Sequence, residues 1–309
     1  MKKTPIRPPA HEPVLSIKVA NCPPGVKFSA AVGAGRAGSE VAQPVHGRLP
    51  PTGSARYAAP MQRFDLVFQT PAELLAADEA VLDWCEAGNG GETLMFWEPR
   101  EVFVVVGYAN KVATEVKVAA CEQRSVPILR RCSGGGTVVQ LPGGLNYSLI
   151  LRISDDGPTR NISTANHFIM DRNRAAIQTV LGGQGRQVAV RGHTDLAIAS
   201  PESPGDWLKV AGNSQRRRKH FLLFHGTFLL HCPLALIDEL LRLPTLEPDY
   251  RAGRVHHQFV TNLDLPADTV KAALSRAWGA DTAWSPPPLK EIATLAREKY
   301  ATHAWNHKF

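Results

Sequence analysis

The sequence contains no apolar run that approaches the ~20 residues needed to cross a bilayer. Its basic start is not followed by the apolar stretch that a secretory signal requires. Its five cysteines are odd in number, and none stands near another at the short spacing of a zinc site. These absences argue against a membrane protein, a secreted disulfide framework and a structural zinc site. They predict a cytoplasmic protein with free thiols, although the composition of the start also allows an organellar transit peptide.

Acidic residues are scarce in the first 60 positions, where only Glu12 and Glu40 stand against eight lysines and arginines. The formal charge of +7 is therefore mostly N-terminal, since +6 lies in that segment and +1 in the remaining 249 residues. A nearly neutral body does not require a nucleic-acid-binding face. The basic run from Arg216 to Lys219 is typical of a solvated turn between two strands, although four adjacent charges could also contact phosphates.

Ten of the 24 prolines also fall in residues 1–60. A segment of this composition buries too little apolar surface to offset the entropy lost on ordering. We therefore predict a disordered, proline-rich basic extension over residues 1–60. One folded domain is expected over residues 61–309, beginning at Met61, with no C-terminal accessory domain.

Periodicity and turn signals predict both strands and helices in the folded part. Thr70-Pro71-Ala72-Glu73 is a capping box that begins a helix, and Gly88 ends it. Further helices are predicted near residues 112–124, 163–181, 233–242, 266–278 and 286–301. Strands are predicted at residues 64–69, 93–98, 101–107, 126–132, 137–141, 145–153, 188–192, 195–199, 208–212 and 221–231.

The order of these elements indicates the fold class. Consecutive strands between residues 126 and 153 are joined by glycine-containing turns, which suggests that they pair antiparallel as neighbours. Strands and helices do not alternate regularly as βαβ units do. We therefore expect an α+β fold with mixed, largely antiparallel sheets flanked by helices.

The most unusual segment is a strand that runs through Arg131 and Ser133 into Gly134, Gly135 and Gly136. Glycines let backbone N–H groups approach an anion without interference from Cβ, and the arginine and serine add donors. It is not a Walker motif, because no Gly-Lys-Ser/Thr follows. Taken alone, a glycine-rich hairpin explains the segment equally well.

Two further segments lie in strands that otherwise look buried. Lys209 alternates with apolar neighbours and is followed by Gly212-Asn213, and His225 precedes Gly226-Thr227. A fixed lysine charge could neutralise a phosphate and an attacking carboxylate. Taken alone, such a lysine is more often solvated at a strand edge, and such a histidine is more often a core residue.

The order and spacing of the three segments resemble the lipoate-protein ligase A family, of the biotin/lipoate ligase and octanoyltransferase superfamily. The resemblance covers about residues 61–309 and includes Phe96-Trp97-Glu98-Pro99 upstream and the Tyr300–Asn306 segment at the end. It implies a biotin/lipoate ligase-like catalytic domain.

The resemblance also implies a reaction: ATP-dependent, magnesium-dependent activation of lipoate or octanoate to the acyl adenylate, then transfer to a lysine. The acceptor would be a lipoyl domain, as in a 2-oxoacid dehydrogenase E2 or a glycine-cleavage H protein. Lys209 would be catalytic and contact both the acyl carbonyl and the α-phosphate. The acyl site would comprise Arg131, Ser133, Gly134, Gly135, Gly136 and Gln140. The nucleotide side would comprise Lys209, Gly212, Asn213, His225 and Asp195, with Asp195 also the candidate magnesium ligand.

Several positions depart from the family pattern. Gln140 stands near a position where the family commonly has histidine, and Thr194 replaces an asparagine. Residues 199–206 form an insertion-like loop, and the sequence stops at Phe309, where many members continue. The departures imply a separate accessory subunit or a different acyl donor.

Several other functions are alternatives to the ligase. An octanoyltransferase needs a cysteine nucleophile a little upstream of the lysine, and no cysteine lies around residues 193–195. Cys132 and Cys232 stand elsewhere. A biotin-type ligase, a nucleic-acid binder and a catalytically inactive partner subunit are the remaining alternatives.

Overall fold

The computed structural model describes residues 61–182, 185–200, 203, 205–282 and 285–309. The predicted extension over residues 1–60 lies outside the described residues. Within those ranges no helix combines the length and the apolar composition needed to cross a membrane.

The first helix begins at the capping box that the sequence predicts. The Thr70 hydroxyl accepts a hydrogen bond from the Glu73 backbone N–H (3.3 Å), and the Glu73 carboxylate accepts one from the Thr70 backbone N–H (3.0 Å). Pro71 occupies the first turn, where a missing N–H costs nothing. The helix ends at Glu86, and Gly88 adopts a φ of +82° beyond it.

Nine α-helices are present in the described residues. In chain order they are α1 (Pro71–Glu86), α2 (Val112–Glu115), α3 (Val118–Gln123), α4 (Ile162–Leu181), α5 (Ala235–Leu240), α6 (His256–Phe259), α7 (Ala267–Trp278), α8 (Leu289–Leu295) and α9 (His303–Asn306). A 3-10 turn spans Asp249–Arg251, and a π-helical turn spans Ala296–Tyr300.

The strands form one large sheet and one small sheet. In chain order they are β1 (Met61–Asp65), β2 (Thr93–Trp97), β3 (Phe103–Val106), β4 (Ile128–Arg130), β5 (Val138–Gln140), β6 (Gly144–Arg152), β7 (Val188–Arg191), β8 (Asp195–Ala199), β9 (Trp207–Arg217), β10 (Phe221–Leu229) and β11 (Ala280–Thr282). The large sheet has the order β11-β1-β2-β6-β10-β9-β8-β7, and the small sheet has the order β4-β3-β5.

Pairing within the sheets is mixed and mostly antiparallel. In the large sheet, β1 pairs in parallel with β11 and β2, and every other neighbouring pair is antiparallel. One face of this sheet packs on α4 and α7, and the other packs on α1 and α8. The predicted α+β class is confirmed.

The predicted hairpins between residues 126 and 153 are wrong. Strands β4 and β5 do not pair with each other but lie on either side of β3, and β6 joins the large sheet between β2 and β10. All but the last residue of β6 are buried. A strand covered on both faces belongs in the middle of a large sheet. Glycine turns mark where the chain bends but do not choose the pairing partner.

Several predicted boundaries also differ from the structure. The strand predicted at 64–69 ends at Asp65, and the helix predicted at 112–124 is divided into α2 and α3 at Val116, which bridges to Leu241. Strand β9 continues to Arg217, far beyond the predicted residue 212. Short elements such as α6, α9 and β11 contain too few residues to show hydrophobic periodicity in the sequence, so the sequence does not predict them individually.

The C-terminal segment is fastened to the domain by Arg130, a side chain with no exposed surface. Its guanidinium donates hydrogen bonds to the carbonyls of Gly107 (2.9 Å), Asn110 (2.7 Å), Trp305 (3.2 Å) and Asn306 (3.0 Å). The Asn306 side chain accepts a hydrogen bond from the Arg130 backbone N–H (2.9 Å). Arg130 therefore joins β4, the segment after β3 and the chain end.

We expect Arg130→Met to lower the free energy of unfolding by about 3 kcal/mol or more. The substitution keeps the apolar stem but orphans several carbonyls, and each buried orphan costs about 1–3 kcal/mol. Arg124 is the control, because it is half-exposed and paired with Glu239 on the surface. Arg124→Met should cost less than about 1 kcal/mol. Urea denaturation followed by circular dichroism measures both, and similar losses would contradict the role given to Arg130.

Candidate active site

The glycine loop, residues 131–136, crosses the end of β3 between β4 and β5. A Cβ on Gly107 would lie 2.1 Å from the Gly135 carbonyl oxygen, so the crossing requires glycine at position 107. The Arg131 guanidinium donates hydrogen bonds to the carbonyls of Gly134 (2.5 Å) and Gly136 (2.7 Å) and to the Ser133 hydroxyl (3.0 Å). Burial lowers the pKa of Arg131 to about 10, which still leaves the side chain charged at neutral pH. Arg131 therefore shapes the loop from within.

The three glycines of the loop have different surroundings. Gly135 has a φ of +84°, which favours glycine whatever the space around it. Gly134 and Gly136 are exposed, and a Cβ on either would meet no atom within 4 Å. The surrounding protein therefore does not explain glycine at these two positions. Close approach of a ligand to the backbone would explain it.

Lys209 lies on the sheet against Gly212. Its Nζ is 2.8 Å from Asp195 Oδ1, and the side chain is 27% exposed. A Cβ on Gly212 would lie 2.7 Å from Lys209 Nζ, so a side chain at position 212 would displace the ammonium from its present position. The Tyr250 hydroxyl donates a hydrogen bond to Asp195 Oδ2 (2.9 Å). Burial, together with the Asp195 carboxylate, raises the pKa of Tyr250 and keeps it protonated as a donor.

A β-bulge brings Lys209 and Gly212 to one face of β9. Residues three apart in a regular strand point to opposite faces. Here Ala211 pairs with Leu196 and Lys209 pairs with Ala197, so Val210 is the additional residue. Val210 and Ala211 accordingly pack into the same core cluster.

The sheet register then places Lys209 and the glycine loop on the same side. Gly212 pairs with Thr227 and Ser214 pairs with His225 across the β9–β10 ladder. The Ser214 hydroxyl donates a hydrogen bond to the Gly134 carbonyl (2.8 Å), which ties the loop to this face. The predicted residues Lys209, Gly212 and His225 therefore lie below or beside the loop.

His225 lies between Ser133 and Asp78 in a buried chain of hydrogen bonds. Its Nε2 is 2.6 Å from Ser133 Oγ, and its Nδ1 is 2.6 Å from Asp78 Oδ2. The Ser148 hydroxyl donates a hydrogen bond to the other Asp78 oxygen (2.5 Å). Asp78 was missed in the sequence, where the only signal is an acidic pair, Asp78 and Glu79, on a helix that is otherwise buried along this stretch.

Gln140 belongs to a polar cluster below the Lys209 side of the site. Its amide exchanges hydrogen bonds with the Asn146 amide (3.0 and 2.8 Å) and donates one to the Thr227 hydroxyl (3.1 Å). Thr227 is the cross-strand neighbour of Gly212. Gln140 is therefore near the site, with both groups of its amide partnered.

The structure does not bring the Asn213 side chain to the glycine loop. Its Oδ1 accepts a hydrogen bond from the Tyr147 hydroxyl (2.6 Å), and its Nδ2 donates one to the Thr194 carbonyl (2.6 Å). A Cβ on Gly226 would lie 1.8 Å from Asn213 Oδ1, so Gly226 leaves space for this side chain. A nucleotide contact by Asn213 would have to come from its backbone.

The predicted solvated turn holds for only part of the basic run, because Arg216 and Arg217 belong to β9 while Arg218 and the exposed Lys219 lie between β9 and β10. Arg216 donates a hydrogen bond to the Cys132 carbonyl (2.5 Å), Arg217 to the Thr159 carbonyl (2.8 Å), and Arg218 forms an ion pair with Asp83 (2.7 Å). These guanidinium groups pack on the protein. A nucleic-acid contact through this run loses its main support.

Comparison with known proteins identifies the family. The family described as the lipoyl protein ligase A/B catalytic domain matches residues 70–277. The chain belongs to this family. It is 26% identical over 264 residues to octanoyltransferase LipM of Geobacillus kaustophilus (strain HTA426), which covers 77% of the chain and 94% of the relative. It is 25% identical over 256 residues to lipoate-protein ligase A subunit 1 of Thermoplasma acidophilum, which covers 78% of the chain and 95% of the relative.

Solved structures of the family share the fold. A lipoate-protein ligase A bound with ATP superposes with a TM-score of 0.63 at 22% identity, covering 81% of this chain and 98% of the other. A bipartite lipoate-protein ligase of T. acidophilum, described together with its E2 lipoyl domain, gives a TM-score of 0.61 at 24% identity and covers 80% and 96%. The expected superfamily and fold are confirmed. The family includes both ligases and octanoyltransferases, so membership alone does not choose the reaction.

The described cysteines do not supply the thiolate that a family transferase needs. The four of them, Cys85, Cys121, Cys132 and Cys232, are free and buried. Cys132 is nearest to the site, directly before Ser133, and burial raises its pKa to about 12. A thiol of this kind stays protonated at neutral pH and is a poor nucleophile.

Magnesium would have few protein ligands at this site. No group of three or more His, Cys, Asp or Glu side chains converges within the described part of the chain. Asp195, the candidate ligand, already holds Lys209 and Tyr250 with its two oxygens. Mg²⁺ is often bound by one or two carboxylates together with substrate phosphates and water. The residues present fit only a metal that the nucleotide itself largely holds.

We expect native Cys132 to resist alkylation by iodoacetamide at pH 8. Its raised pKa means that the thiolate fraction is very small there and increases only as the pH approaches about 12. Peptide mass mapping should find the Cys132 peptide unlabelled in native protein and labelled in guanidinium. Rapid labelling of the native protein would contradict the burial and would reopen a cysteine mechanism.

Proposed function

We propose that this chain is a lipoate-protein ligase, which activates lipoate or octanoate with ATP and transfers the acyl group to a lysine of a lipoyl-domain protein. The observation that carries the proposal is a lysine ammonium held by Asp195 over Gly212, on the sheet face that the glycine loop covers. A fixed cation beside exposed glycine backbone suits a reaction in which negative charge develops on a phosphate.

The first step joins the acid to the nucleotide. A carboxylate oxygen attacks the α-phosphorus of ATP, a C–O–P linkage forms, and pyrophosphate leaves. The Lys209 ammonium would balance the charge that develops between the carboxylate and the α-phosphate. Asp195 keeps the ammonium in place before the substrates bind, and Tyr250 fixes Asp195. N–H groups of the glycine loop would approach the activated carboxyl.

The second step transfers the acyl group. The acceptor lysine amine attacks the carbonyl carbon, an amide forms, and AMP leaves. A structure of a relative was described together with an E2 lipoyl domain, which supports a lipoyl domain as the acceptor. The description of that relative as bipartite keeps a separate accessory subunit within the proposal.

An octanoyltransferase is the second candidate, because the curated relatives include several named octanoyltransferase LipM at 23–26% identity. A cysteine-based transfer from acyl carrier protein would need an accessible thiolate near Lys209. The buried state of the four described cysteines supports the ligase over this candidate.

We expect Lys209→Ala to reduce formation of octanoyl-AMP by about 10²–10³-fold, the usual effect of removing one group that stabilises transition-state charge. The protein is incubated with ATP, magnesium and octanoate or lipoate, and acyl-AMP is measured by mass spectrometry. Lys219→Ala is the control, since Lys219 is an exposed lysine at the far end of the same strand pair. Adenylate formation that survives in Lys209→Ala would refute the role of Lys209.

We expect Gly134→Ala to leave the midpoint of thermal unfolding unchanged or slightly raised while it lowers the rate of acyl-AMP formation at least tenfold. A Cβ there meets no protein atom, and replacing glycine at a compatible backbone position stabilises by about 0.4–1 kcal/mol. The methyl group would, however, keep a ligand away from the backbone. Calorimetry and the adenylate assay measure the two effects. Full activity in a stable variant would show that no ligand approaches Gly134.

A further inference from the structure

The hydrogen bonds between Asp78, His225 and Ser133 suit one arrangement of the protons. The Ser133 oxygen accepts a hydrogen bond from Arg131 Nε (3.0 Å), which can only donate. The Ser133 hydrogen is therefore available for His225 Nε2, at 2.6 Å. His225 then carries its own proton on Nδ1 and donates it to the Asp78 carboxylate. In this arrangement the Nε2 lone pair of His225 is directed at Ser133.

Polar side chains that are buried without hydrogen-bond partners cost folding free energy. Three buried polar groups in a row are therefore expected to be fully hydrogen-bonded or to serve the reaction. Ser133 is 1% exposed, Asp78 is 3% exposed and His225 is 9% exposed. The second Asp78 oxygen accepts a hydrogen bond from Ser148, so both oxygens of this buried carboxyl group have partners. Here a buried carboxylate orients a histidine, and the histidine contacts a hydroxyl. Such an arrangement can take a proton from the hydroxyl itself, or from a substrate group that gives its proton to the hydroxyl.

Ser133 lies at the covered end of the site. The hydroxyl can donate once and accept twice, and its contacts with His225 and Arg131 use the hydrogen and one lone pair. His225 pairs with Ser214 on the neighbouring strand. Ser214 is two residues beyond Gly212, and Lys209 Nζ lies beside Gly212. Two residues of a strand span about 7 Å. Exposed glycines, which adapt readily, separate Ser133 from the outside.

We propose that Ser133, His225 and Asp78 form a proton relay that serves the second, amide-forming step. The acceptor lysine nitrogen forms its bond to the acyl carbon, and the bond from that carbon to the leaving group breaks. The nitrogen gives its surplus proton to Ser133 Oγ while Ser133 passes its own proton to His225 Nε2. Asp78 stabilises the resulting imidazolium, and water later removes the proton.

The relay rests on the proposed function but not on the identity of the acyl donor. An acyl adenylate and an acyl thioester both present a carbonyl carbon to the acceptor amine, and in both cases that amine must lose a proton. A general base of this kind contributes about 10²–10⁴-fold to a rate. In the relay, Ser133 would contact the substrate, whereas His225 and Asp78 would act through it.

The test separates the two steps in full-length protein. Activation is measured with octanoate and ATP as octanoyl-hydroxamate trapped by hydroxylamine. Transfer is measured in single turnovers as the intact mass of an E2 lipoyl domain, with synthetic octanoyl-AMP in one arm and octanoyl acyl carrier protein in the other. The variants are His225→Gln, Asp78→Asn, Ser133→Ala and the double variant Ser133→Ala/His225→Gln. His256→Gln is the matched control, because His256 is also buried but lies on α6 against Arg242 and Asp238.

In His225→Gln and Asp78→Asn we expect transfer to fall at least 100-fold, and at least tenfold more than activation does, because the relay removes a proton only in the amide-forming step. The double variant should be no worse than its more damaging single variant, since residues that act as a unit are not additive. Equal losses in both steps, or unchanged transfer, would overturn the relay. An octanoyl group covalently bound to Ser133 would overturn it in favour of a serine nucleophile. If wild-type protein acylates the lipoyl domain from neither donor, the proposed function fails and the relay fails with it.

Discussion

Two adjacent buried guanidinium groups hold together the parts from which the site is built. Arg130 binds carbonyls of the segment after β3 and of the chain end, and Arg131 binds carbonyls of the glycine loop. The carbonyls involved lie in turns, in the glycine loop or in the last turn of α9, and a planar group with five N–H donors can serve several of them at once. Removal of either side chain would leave carbonyl oxygens without hydrogen-bond donors. Removal of Arg131 would also leave the glycine loop without the contacts that fix its conformation.

The lysine side of the site depends on the sheet rather than on a loop. A bulge at Val210 brings Lys209 to the face of Gly212, and Asp195 on the neighbouring strand holds its ammonium. A side chain that is positioned by the strand register and held by an ion pair needs little rearrangement when substrate binds. The lysine on the sheet is held in place, whereas the glycine loop that covers it can adapt. The two are complementary, because substrates must pass the loop before the lysine charge can act on them.

The sequence predicts those features that are local in the chain. The capping box at Thr70 was confirmed because its partners are three residues apart, and the fold class followed from the order of the elements. Pairing partners were not local, so the predicted hairpins failed. Tyr250 and Asp78 could not be found, since each meets its partner only through the tertiary fold, 55 and 147 residues away. The Val210 bulge leaves no signal that periodicity could detect.

The segment His225-Gly226-Thr227 shows how a short motif can combine several physical requirements. His225 contacts Ser133 and Asp78, Gly226 leaves space for the Asn213 side chain, and Thr227 bonds to Gln140. Because side chains alternate along β10, His225 and Thr227 face the site and Gly226 faces α4. The motif therefore couples the two faces of the sheet. A change at Gly226 would displace Asn213 and, through its hydrogen bond to Thr194, would disturb the segment that leads into Asp195. The geometry of Lys209 thus depends on packing at the opposite face, where no substrate is expected.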